Sequence, residues 1–164
     1  MKRIITLLLT ALFALSSLVC TTLAAEMKET SIIKTELSDD GIERLWYADG
    51  GRLEIITEVF RDLTASNSIT GYRTYQKKDS SGTLEWKATL TATFTYTGTT
   101  SSCTGASCAV TIYKSNWYVV SNATTRSGNT ATTHLTMGYK VLGATLYTRS
   151  YTITLSCDAN GNLI

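Results

Sequence analysis

From Leu84 to Tyr96 apolar and polar side chains alternate without a break. Leu84, Trp86, Ala88, Leu90, Ala92, Phe94 and Tyr96 fall on one set of positions, Glu85, Lys87, Thr89, Thr91, Thr93 and Thr95 on the other. Successive side chains of a β-strand point to opposite faces, so a strict period of two describes a strand with one buried face and one wet face. A helix repeats every ~3.6 residues and cannot produce this pattern. The chain therefore has to supply further strands to cover the apolar face of this one.

The sequence supplies them. Asp79-Ser80-Ser81-Gly82 reads as a turn joining Leu84–Tyr96 to a partner at Thr70–Lys77. Ala109–Tyr113 and Trp117–Thr124 read as strands with a tight link between them, and Ser127-Gly128-Asn129 as the next turn. Thr130–Met137 follows, with Thr130, Thr132, His134 and Thr136 on its polar face. Gly138–Gly143 reads as a loop. Thr145–Cys157 is the last long strand, with Tyr147, Tyr151, Ile153 and Leu155 on one side and Thr148, Ser150, Thr152 and Thr154 on the other. Thirty threonines favour this reading, because a β-branched hydroxyl side chain suits the exposed face of a sheet.

The N-terminal third is less regular. Ser31–Leu37 reads as a strand closed by Ser38-Asp39-Asp40-Gly41. Leu53–Leu63 carries both periods: Ile55, Thr57 and Val59 suit a strand, and Leu53, Ile56, Phe60 and Leu63 suit an amphipathic helix, with the strand favoured. Strands with turns about every ten residues predict an all-β, Ig-like antiparallel β-sandwich. Residues 25–68 are expected to add edge strands and loops to a core formed by residues 69–164.

Residues 1–24 predict a secretory signal peptide. Lys2 and Arg3 precede an apolar run from Ile4 to Val19, and Thr22 and Ala24 place small side chains at the positions a signal peptidase reads. Cleavage is expected after Ala24, with Ala25 as the alternative. The run is short of the ~20 residues of a spanning helix, and Ser17-Leu18-Val19 before Cys20 is not a lipoprotein signal. The remaining chain is expected to be secreted and extracellular, with no membrane span. Its fifteen Lys and Arg lose Lys2 and Arg3 and then balance thirteen Asp and Glu. That balance gives no electrostatic reason for nucleic acid as a partner. The absence of proline excludes an LPxTG wall anchor.

Outside the leader stand Cys103, Cys108 and Cys157. Three pairings are open, each leaving one thiol over, and all three cysteines unpaired is the fourth state. Closing the loop between Cys103 and Cys157 would restrict the unfolded chain most, by ~4 kcal/mol on the chain-entropy model.

No residue pattern for catalysis emerges, and the chain is expected not to be an enzyme. The single histidine, His134, has threonines but no acid nearby in sequence, so a Ser-His-Asp site lacks its orienting carboxylate. Cys108 with His134 could form a thiol–imidazole pair. No metal-ligand spacing and no cofactor motif is present, and Asp39-Asp40-Gly41-Ile42-Glu43 lacks the alternation of a calcium loop. The aromatic residues are the stronger lead. Trp117 and Tyr118 are adjacent, so one of them faces out or covers a sheet edge. With Tyr113 they are the candidate ligand-contact aromatics, suited to stack on a glycan or on a cell-surface protein.

Tyr72, Ser81-Gly82 and Trp86, then Phe94-Thr95-Tyr96-Thr97-Gly98 and Cys103, then Ser127-Gly128-Asn129 and Leu155-Ser156-Cys157-Asp158-Ala159-Asn160-Gly161, resemble a family of small, functionally uncharacterised secreted proteins of Gram-positive bacteria. The likeness runs from about Ile69 onward. It implies secretion and a Cys103–Cys157 bond, and it carries no activity. The functional expectation is a non-enzymatic extracellular binding or surface-interaction module. The alternatives are a bacteriocin-like or toxin-like effector and a structural or assembly subunit.

Overall fold

A computed structural model describes residues 32–39, 41–60 and 67–164. The expected signal peptide, its cleavage position and Leu63 lie outside these residues. The described chain is all strand and turn: β1 (Ile32–Leu37), β2 (Glu43–Tyr47), β3 (Arg52–Phe60), β4 (Ser68–Lys78), β5 (Leu84–Tyr96), β6 (Ser101–Ile112), β7 (Trp117–Ser127), β8 (Thr130–Val141) and β9 (Ala144–Ser156). They form two antiparallel sheets, one ordered β1-β2-β3-β4-β5-β6 and the other β7-β8-β9.

Every hydrogen-bonded neighbour is a neighbour in sequence. An Ig-like order interleaves its strands through Greek-key connections. Neither sheet here contains one, so the order departs from the Ig-like expectation. Short links favour it within each sheet, and the four-residue link from β6 to β7 is where the chain crosses from one sheet to the other.

The alternating strand behaves as its pattern requires. Trp86, Ala88, Leu90, Ala92 and Phe94 of β5 are fully buried. Their cluster continues into Leu135 and Met137 of β8 and Ile153 and Leu155 of β9, so one hydrophobic core lies between the sheets. On the other face of β5, Thr89 and Thr93 bond Thr74 and Thr70 of β4, each at 3.0 Å. Such cross-strand hydroxyl pairs stabilise a sheet modestly, at ~0.2–1 kcal/mol each.

The elements differ from the sequence reading in several places, and β7 runs to Ser127 rather than Thr124. β2 was not expected. β6 begins at Ser101, well before Ala109, and so contains Cys103 and Cys108. β8 runs through Gly138 to Val141 rather than stopping in a loop. The glycine does not break the strand because the Tyr118 ring of β7 lies across it, in the space a Cβ would occupy. The ambiguous Leu53–Leu63 stretch is a strand as far as Phe60.

On the outer face of the large sheet, Glu54 is buried among cations. Its carboxylate accepts from Arg52 at 2.8 Å and Lys78 at 2.6 Å, with Arg44 at 3.5 Å. Inside the fold Lys77 is almost wholly buried, with Glu85 at 3.3 Å and the Tyr47 ring centre at 4.9 Å.

No disulfide is seen among Cys103, Cys108 and Cys157. Residues beside Cys103 and Cys157 converge. The Gly98 amide donates to Ala159, the Cys103 amide to Gly128 and the Cys157 amide to Asn129. The Ser101 hydroxyl and the Asn129 side-chain amide both donate to the Cys157 carbonyl, at 2.5 and 2.7 Å. Asp158 accepts from the Asn160 and Asn162 amides at 2.8 Å each, which closes its own loop. These residues clasp the two sheets together at one end.

Candidate ligand-binding cleft

The three expected contact aromatics do not form a platform. Trp117 is buried and belongs to the core. Its ring meets Trp86, Tyr139 and Tyr147 edge-on, with centroids 6.1, 5.1 and 5.9 Å away. T-shaped packing of this kind adds ~0.5–1.5 kcal/mol per pair beyond burial. The Trp86 and Trp117 indole N–H groups donate to no oxygen or nitrogen, so a glycan hydroxyl has no route to either through the packed rings. Tyr118 lies flat over Gly138 with its hydroxyl 2.7 Å from the Thr145 hydroxyl. Tyr113 is half exposed beyond the end of β6.

His134 and Cys108 are also apart. His134 is exposed on the outer face of the small sheet, where its Nδ1 is 3.5 Å from the Thr152 hydroxyl. Cys108 packs against the core from β6, and burial pushes its thiol pKa up, which disfavours a thiolate. The core side of one sheet and the outer side of the other cannot bring thiol and imidazole together. Among the described residues no group of His, Cys, Asp and Glu could hold a metal ion.

A cleft lies elsewhere, and it follows from the unequal width of the sheets. β9 packs on β4 and β5, and β8 packs on β6. The core-side residues of β2 and β3 therefore extend past β9, the edge strand of the small sheet. Leu45 and Tyr47 from β2, Leu53 and Ile55 from β3 and Tyr75 from β4 form the floor of a cleft of about 240 Å³. Ile32 closes one side, and Arg149, Ser150, Tyr151 and Thr152 of β9 form the wall. Strand alternation selects these residues. Leu45 pairs with Leu53 and Ile55 with Tyr75, so all four share one face.

Two polar groups in the cleft are held in place. The Tyr75 hydroxyl donates to the Thr152 carbonyl at 3.2 Å, which ties β4 to β9. Burial pushes the Tyr75 phenol pKa up, against the opposing field of Arg73, so it stays protonated and remains a donor. The Arg149 guanidinium sits 4.4 Å from the Tyr47 ring centre and 5.9 Å from that of Tyr151. Cation–π contact of this kind contributes ~0.5–2 kcal/mol and holds the cation at the cleft wall. An apolar, aromatic floor beside a positioned guanidinium suits a ligand with an apolar body and an anionic end.

Sequence reasoning missed this site. Tyr47, Tyr75 and Arg149 lie on three strands far apart in the chain, and only the stacking of the sheets brings them together. No protein-family model, curated protein or solved structure matches the chain.

Proposed function

We propose that this chain is an exported, two-layer β-sandwich that binds a small ligand outside the cell, without catalysis, in the cleft between β9 and the floor formed by β2, β3 and β4. The single observation that carries the reading is Arg149 stacked on Tyr47 and Tyr151 at the edge of a cavity floored by Leu45, Leu53 and Ile55. Export is supported by the order of charge, apolar run and small residues across positions 1–24. A binding role is supported by a cleft with an aliphatic floor and a guanidinium held against the aromatic rings at its wall.

Ligand chemistry follows from the lining. An aliphatic or aromatic body covers Leu45, Leu53 and Ile55, and a carboxylate or sulfonate meets Arg149. Decanoate is a suitable probe, with decanol as its uncharged counterpart. Calorimetric titration of the purified chain is expected to show decanoate binding that weakens roughly tenfold or more in Arg149→Gln, in line with loss of a charge-assisted contact. Decanol is expected to bind wild type and Arg149→Gln alike. Equal decanoate affinity for the two proteins would remove the anion from the proposal, and no decanoate binding at all would remove the cleft.

A further inference from the structure

We infer that β1 is a self-complementary edge through which two copies of this chain join into one continuous sheet. β1 is the outermost strand of the large sheet and pairs with β2 alone among the described residues. The Ser38 amide donates to Ile42 across the β1–β2 hairpin. Backbone direction alternates along a strand, so Glu36 and Lys34 also turn their amides and carbonyls toward β2. Leu37 and Thr35 then turn theirs toward the open edge, and a register shift between Ile32 and Lys34 ends the regular alternation before Ile33.

A twofold axis through Thr35 satisfies that edge. Thr35 falls opposite Thr35 of the second copy. In an antiparallel ladder, opposed residues that face one another exchange both hydrogen bonds, so this pair joins the chains at the axis. The side chains agree with the same register. Lys34 falls opposite Glu36 of the second copy on the outer face, again twice. Leu37, 74% exposed, lies beside this seam. Within one chain Lys34 and Glu36 already form an ion pair at 2.8 Å, with side chains 62% and 42% exposed, so both are accessible to a second strand. A shift by two residues in either direction breaks the charge match. Opposed residues of an antiparallel pair point to the same face, so both small sheets, and both clefts, lie on one side of the joined sheet.

Sedimentation of the purified chain at about 100 µM is expected to show a dimer. Lys34→Glu sets two acids against two acids at this edge, and Glu36→Lys sets two lysines against two lysines. Each variant is expected to raise the dimer dissociation constant roughly tenfold or more. An equimolar mixture of the two is expected to form a heterodimer, which shows that both variants are folded. Thr35→Cys is expected to give a covalent dimer on mild oxidation, because opposed Cα atoms at this position fall within disulfide range. Lys87→Cys, on β5, is expected not to. A monomeric wild type, single variants that dimerise as the wild type does, or a mixture without heterodimer would each overturn the inference.

Discussion

Cys103 and Cys157 are anchored to the same turn: the Cys103 amide donates to the Gly128 carbonyl and the Cys157 amide to the neighbouring Asn129 carbonyl, at 2.8 and 3.1 Å. Cys103 belongs to the six-stranded sheet, and Cys157 follows the last strand of the three-stranded one. The β7–β8 turn is therefore the bracket that sets one sheet against the other, and both cysteines are buried behind it. The bracket is built from backbone hydrogen bonds and stands without a covalent link between the sulfurs.

Thiol accessibility follows from this placement. Cys108 is partly exposed, and Cys103 and Cys157 are buried. Iodoacetamide applied to the native protein is expected to modify Cys108 first, with Cys103 and Cys157 modified only in denaturant. Peptide mass mapping after timed quenching checks the order. Native modification of Cys157 at the rate of Cys108 would contradict the burial.

The β8–β9 turn holds Leu142 at φ 50° with its side chain fully exposed. A branched residue in the left-handed region costs about 1 kcal/mol and gains nothing there by burial. Leu142→Asn is expected to stabilise the fold by ~0.5–1 kcal/mol, read as a higher urea midpoint at unchanged slope.

Tyr118 occupies the space beside Gly138 where a Cβ would sit. Gly138→Ala is expected to cost ~1–3 kcal/mol by overpacking. In a Tyr118→Ala background the same change is expected to cost less, because the clashing ring is gone. A double-mutant cycle from denaturation curves reads the difference, and additive effects would contradict the contact.

Glu54 gives the fold an acid dependence. Burial raises its pKa, and the hydrogen bonds and charges of Lys78 and Arg52 more than offset this, so the net shift is downward from 4.5. A lowered folded-state pKa means that the unfolded chain takes up its proton first. The stabilisation is complete above the unfolded value and is lost as pH falls below it through the folded value. Glu54→Gln is expected to flatten the stability profile below about pH 4.5 relative to wild type, measured by denaturation across that range.

The alternating strands were legible because one face meets the core and the other meets water. Leu84–Tyr96 is the extreme case, and its bounds in the structure are those of its pattern. β2 was not legible because Leu45, Trp46 and Tyr47 are consecutive apolar residues, which hides the period. Trp46 is on the outer face, where Arg52 sits 5.4 Å from its ring centre, so an aromatic residue occupies a position that pattern reading assigns to polar ones. Trp117 illustrates the complementary limit. Adjacent aromatics must face opposite sides, but which of the two faces the core depends on where the second sheet lies. The cleft depends on the same information, since it exists only because three strands cover part of a six-stranded sheet.

The central claim is that ligand binds where Arg149 meets the tyrosines. Amide chemical-shift mapping during decanoate titration tests it most directly. The account predicts shifts concentrated at Tyr47, Leu53, Ile55, Tyr75 and Arg149 through Thr152, with Tyr113 and Tyr118 unmoved. Shifts centred on Tyr113 and Tyr118, with the Arg149 region silent, would contradict it.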